Sequence, residues 1–201
     1  MKKRKLTKMN LDELAKKMSV ITDTEKYNGG TVFFSEDGQY TNVVFDGSNE
    51  IRVIEDLNSW LSGGFIGSNS GTYAFADANS NVASNILTSM ASNMGISGTI
   101  GVISDPNQNL QAYTTSAVES MSGQIFINMN GFFIQSGNYY DIQSILYHEK
   151  HHSETMGDAG TLQSEFYALQ TEMSLSSFSL TSPEYQADVR RRYDELYDLL
   201  Y

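Results

Sequence analysis

His148-Glu149-Lys150-His151-His152 puts two well-spaced imidazoles and a carboxylate within five residues. On a helix, His148 and His152 stand at i and i+4 and project from one face, a separation at which two imidazoles can hold one Zn²⁺. Glu149 sits beside them, placed to take a proton from an activated water rather than to ligate the metal. Zinc brings the pKa of such a water from ~15.7 to about 7, so the pattern H-E-x-x-H reads as hydrolytic chemistry. All three histidines of the chain fall in this stretch. His151, three residues from His148, offers another pair. Only the 148/152 register gives Glu149 a role, so His151 is expected beside the metal or exposed to solvent.

A helix must carry this motif, and the preceding residues supply one. Tyr139 to Tyr147 carry apolar side chains at helical spacing, with Ile142, Ile145, Leu146 and Glu149 along one side. Asp141 is expected as the N-cap or as a first-turn acid. A catalytic zinc takes three protein ligands and keeps a fourth position for water, so one ligand must come from downstream. Glu165 is the first choice. It borders an apolar stripe of Leu162, Phe166, Leu169 and Met173, and Ala168 would let the motif helix approach closely. Asp158, six residues past His152, and Glu172, one heptad past Glu165, stay open as alternatives.

HExxH on one helix and a glutamate on the next resembles the gluzincin branch of the zincin metallopeptidases, over roughly residues 124 to 198. The resemblance implies an α+β zincin-like domain: an N-terminal β-meander, a mixed sheet, the HExxH helix and two C-terminal helices. It implies a Zn²⁺-dependent peptide hydrolase in which His148, His152 and Glu165 hold the metal and Glu149 is the general base. The substrate would be a peptide or protein. Asp158 has the spacing of the last metzincin ligand, but Thr155 stands where that family turns on a glycine. Zincins place a strand before the motif helix, so 124–128 is expected either to line the cleft as a substrate-pairing edge or to be an interior strand. Such enzymes also need an oxyanion donor, an interaction worth ~3–4 kcal/mol. Tyr147, Tyr167 and Tyr185 are candidates with nothing to choose between them. Arg190-Arg191-Arg192 is expected only to offset nearby acids.

Charge divides the chain. Residues 1–30 hold eight Lys/Arg and four Asp/Glu, leaving five and twenty for the rest, so a +4 segment precedes a −15 one. The first segment lacks the 7–15-residue apolar core of a secretory signal. Leu11, Leu14, Ala15 and Met18 suit a short amphipathic helix, and Tyr27-Asn28-Gly29-Gly30 ends it. This resembles the double-glycine leaders removed by peptidase-containing ABC exporters, although Thr24 replaces an expected apolar residue. The resemblance implies a leader over 1–30, cleavage after Gly29-Gly30, and a metallopeptidase domain over 31–201. The precursor would be cytoplasmic and the cleaved product secreted.

Thr31-Val32-Phe33-Phe34, Tyr40 to Phe45 and Ile51 to Ile54 read as strands, with Asp37-Gly38 and Asp46-Gly47 as turns. The Gly/Ser/Asn-rich stretch from Ser62 to Gly71 reads as a loop at the cleft rim, and 78 to 94 as a helix ending at Gly95. Ser182 and Pro183 read as the start of a final helix. The chain has no cysteine, so disulfides and thiolate ligands are excluded. No run approaches the ~20 apolar residues of a membrane span. A net charge of −11 argues against nucleic acid as a partner. A rival of another class is an exported binding or effector protein whose zinc site is structural or vestigial, closed by a fourth ligand such as His151 or Asp158. An intracellular metal-binding domain with a basic tail is a third reading.

Overall fold

Thr31-Val32-Phe33-Phe34-Ser35 is apolar on both faces, and its place in the fold follows from that. A computed structural model describes residues 30–63, 70–115, 123–154 and 160–201. The expected leader helix, Gly29, Asp158 and most of the Gly/Ser/Asn-rich stretch lie outside the described residues. Thr31–Ser35 (β1) is buried throughout and pairs antiparallel with Tyr40–Val44 (β2). Gly38 in the connecting turn has φ 83°, and a Cβ there would lie 2.5 Å from the Asn85 carbonyl oxygen. Glycine meets both demands.

Ile51–Ile54 (β3) does not extend the hairpin into a simple meander. It pairs parallel with β1, and Thr72–Ala74 (β4) pairs antiparallel with β3, giving the order β2-β1-β3-β4. The mixed sheet follows from β1's composition. Val32 and Phe34 join the main core on one face, while Phe33 packs with Ile54 and Trp60 on the other. A strand apolar on both sides belongs inside a covered sheet. Leu57–Ser62 (α1), capped by the Asp56 side chain, brings Trp60 over the far face.

Ser80–Asn93 (α2) buries Val82, Ile86, Leu87 and Met90 in the main core and stops before Gly95. Gly101–Ile103 (β5), Ala112–Thr114 (β6) and Ile125–Asn128 (β7) form a second sheet of order β5-β7-β6. β7 is parallel to β5 and antiparallel to β6, so both of its hydrogen-bonding edges are used. Of the two places expected for 124–128, it takes the interior one and is not a substrate-pairing edge. β6 is the sheet edge nearer the motif helix.

Phe132–Gln135 (α3) leads into Tyr139–Glu154 (α4), the motif helix, then Leu162–Met173 (α5) and Pro183–Leu200 (α6). The α4 cap is Asn138, whose side chain accepts from the Tyr140 and Asp141 amides at 2.9 and 3.2 Å. Asp141 is thus the first-turn acid. Fully buried, it accepts from the Ser182 amide and hydroxyl at 2.7 Å each, tying the start of α4 to the start of α6. Ser182 caps α6 and Pro183 opens it, as expected. Ile142, Ile145 and Leu146 anchor α4 in the main core. Among the described residues, no helix is long and apolar enough to cross a membrane.

Candidate metal centre

The apolar side of α4 faces the core, which turns His148 and His152 toward α5. Both imidazoles are buried, with ring centroids 4.9 Å apart and their Nε2 atoms 3.2 Å apart. The Thr161 side chain caps α5 and sets Glu165 in its first turn. Glu165 Oε2 lies 3.3 Å from His148 Nε2, and its Oε1 lies 3.2 Å from His152 Nε2. Ala168, fully buried, leaves room for this approach of the two helices. His148, His152 and Glu165 thus form one cluster able to hold a metal ion. The spacing fits zinc, since bonds of about 2.0–2.1 Å in a tetrahedron place neighbouring ligand atoms about 3.3–3.4 Å apart.

Electrostatics point the same way. Burial opposes charge on His148, but hydrogen bonds to Glu165 and Glu172 outweigh it and push its pKa up to about 10. Burial raises Glu165, but its bonds to both imidazoles hold it well below the usual carboxylate range. The cluster therefore draws positive charge into its centre, which protons or a divalent cation can supply.

The outer nitrogens of the imidazoles are held as firmly. His148 Nδ1 lies 3.2 Å from Glu172 Oε2, and His152 Nδ1 lies 3.1 Å from Ser164 Oγ. Glu172 Oε1 accepts from Ser144 Oγ at 2.9 Å and from the Tyr185 hydroxyl at 2.5 Å. The sequence left Glu172 open as a ligand; the structure puts it behind the ring, against the other nitrogen. Contacts of this kind fix the tautomer and aim of a ligating imidazole.

Glu149 is buried beside the cluster, and its Oε2 accepts from Thr114 Oγ1 of β6 at 2.7 Å. Burial pushes its pKa up, against the opposing pull of His148 and Thr114. A cleft of about 750 Å³ opens here, with Ala112, Phe133, His148, Glu149, Glu165 and Arg192 among its walls. His151 is half-buried and lies outside the cluster. Of the three tyrosines, Tyr147 and Tyr167 are not among the cleft's walls, and the Tyr185 hydroxyl is committed to Glu172. Arg192 Nη2 donates to Glu165 Oε2 at 3.2 Å, a contact the sequence reading did not anticipate.

Thr114, Ser144, Ser164 and Arg192 were missed as parts of the site, and Tyr185, a candidate oxyanion donor, instead holds Glu172. Ser144 carried a signal, since it is one helical turn before His148 on the same face. Tyr185, Asp188 and Arg192 share a face of α6 in the same way. Thr114 carried none, because only tertiary packing brings β6 to α4.

No curated protein and no solved structure matches this chain. A protein-family model described as metallopeptidase toxin 2 matches residues 32–201, which span every described strand and helix but the first residue of β1. With a His-His-Glu cluster able to hold a metal ion at its centre, the chain belongs to the metallopeptidase toxin 2 family.

Proposed function

We propose that this metallopeptidase is a zinc-dependent endopeptidase in which His148, His152 and Glu165 hold the metal and Glu149 is the general base. The observation that carries this reading is the triangle of ligand atoms at 3.2–3.3 Å with a buried carboxylate beside it. Bound there, zinc supplies Lewis-acid activation of a water and of the scissile carbonyl. Glu149 takes one proton from the attacking water as the new C–O bond forms. It then returns that proton to the departing nitrogen while the second stays on the new hydroxyl, so that peptide and water become a carboxylic acid and an amine. Burial raises the pKa of Glu149 and so favours this exchange. Thr114 Oγ1 aims the carboxylate. Glu172 and Ser164 orient the two imidazoles from behind. The open cleft supports a catalytic centre over a closed structural one.

Substitution of Glu149 by Gln tests the mechanism. Turnover should disappear while metal content stays at the parental level, and a variant that cleaves like the parent overturns the role.

The proposal includes export. Residues 1–30 are a double-glycine leader, removed after Gly29-Gly30 by a peptidase-containing ABC exporter, and the product is secreted. Gly30 and Thr31 are buried at the start of β1, and a Cβ on Gly30 would lie 2.5 Å from the Val44 carbonyl oxygen. Cleavage after Gly30 must therefore precede the folding of β1. N-terminal sequencing of protein recovered outside the native cell should read from Thr31; an intact residue 1–30 segment contradicts the leader.

A further inference from the structure

Peptide hydrolysis drives negative charge onto the carbonyl oxygen, so the cleft needs a donor aimed at it. We propose that Arg192 is that donor: one arm of its guanidinium holds Glu165, and the rest meets the developing oxyanion. The proposal rests on the metallopeptidase reading above.

Position comes first. Arg192 Nη2 lies 3.2 Å from Glu165 Oε2, the same oxygen that is 3.3 Å from His148 Nε2. The guanidinium is thus one carboxylate away from the metal position, on the cleft wall. Among the described residues, nothing accepts a hydrogen bond from its Nε or Nη1, and the side chain is 40 % exposed. It is tethered at one arm and open to substrate at the others. An arginine suits this double task, because its planar fork stays charged and can bond two oxygens at once.

The other donors on the cleft wall are committed or neutral. Arg191 uses Nη1 on Glu195 at 2.8 Å and Nη2 on Asp188 at 2.6 Å. The amide of Gln111 donates to Gln108 O at 2.8 Å, and its oxygen accepts from the Phe133 amide at 2.9 Å. Tyr185 is bound to Glu172 at 2.5 Å. Asn109 carries no charge.

The test uses the full chain loaded with cobalt(II) and inorganic phosphate as a tetrahedral oxyanion probe, followed by the visible absorption of the metal. The parent should bind phosphate. At equal cobalt content, Arg192→Ala should bind it at least about tenfold more weakly, with Arg192→Lys between them, because a charge-assisted bond is lost. Arg191→Ala should stay close to the parent. On a peptide substrate, Arg192→Ala should lower kcat by about 10²–10³ while KM changes little. Phosphate affinity equal to the parent's overturns the proposal, even where cobalt affinity has fallen, because Arg192 then only positions Glu165. A loaded parent that ignores phosphate also overturns it. If Arg192→Ala does not fold, as judged by circular dichroism, Arg192→Lys carries the same comparison. A parent that takes up no cobalt overturns the metal reading itself, and the proposal with it.

Discussion

Glu165 and Glu172 stand one heptad apart on α5, and both touch His148, from opposite edges of its ring. Glu165 meets Nε2 and bridges to His152, with its side chain 31 % exposed to the cleft. Glu172 meets Nδ1, is 1 % exposed, and spends its second oxygen on Ser144 and Tyr185. The residue type is the same; partners and solvent divide the labour. A carboxylate facing open volume between two imidazoles suits a cation. One saturated by hydroxyls and a ring N–H suits holding that ring in place.

Substitutions should separate the two roles. In the proposed reading, Glu165→Gln has the largest effect: purified chain should carry almost no zinc and should not hydrolyse peptides. Equal losses in Glu165→Gln and Glu172→Gln, read by metal analysis, would erase the distinction. Glu149→Gln comes next, since the proposed role of this third glutamate is to move a proton and not to hold the metal. Steady-state kinetics should show turnover lower by about 10²–10⁴ with zinc retained. Glu172→Gln should weaken zinc binding by about 10–100-fold in a chelator competition, and activity should return at saturating metal. Tyr185→Phe should do least. Losing one hydrogen bond to a buried carboxylate should cost about 1.5–3 kcal/mol in denaturant unfolding, with zinc affinity nearly unchanged. A Tyr185→Phe variant that loses its metal would show that Glu172 matters more than its place behind the ring implies.

What could be read in the sequence was local. The motif helix, the α2 helix ending at Gly95, the Asp37-Gly38 turn and the Ser182-Pro183 start all rest on neighbouring residues, and the structure has each of them. The parallel pairing of β1 with β3 and the interior place of β7 depend on which strand covers which face, and local alternation does not encode that. At the His-His-Glu cluster, spacing singled out His148 and His152, while Glu165 came as a first choice with Asp158 and Glu172 left open. It could not tell a glutamate in front of an imidazole from one behind it. Nor could it see Thr114 reach Glu149 across 35 residues, or Arg192 reach Glu165 across 27. Arg190-Arg191-Arg192 reads as one charge run, but the helix separates its members: Arg191 pairs with Asp188 and Glu195, and Arg192 turns to the cleft.

In the proposed reading, His148, His152 and Glu165 hold one catalytic zinc. Elemental analysis of the full chain, purified without chelator beside His152→Ala, tests it most directly. About one zinc per parental chain is expected, with a large loss in the variant. A parent that stays free of zinc after metal is added back, or a variant that keeps the same content, would contradict it.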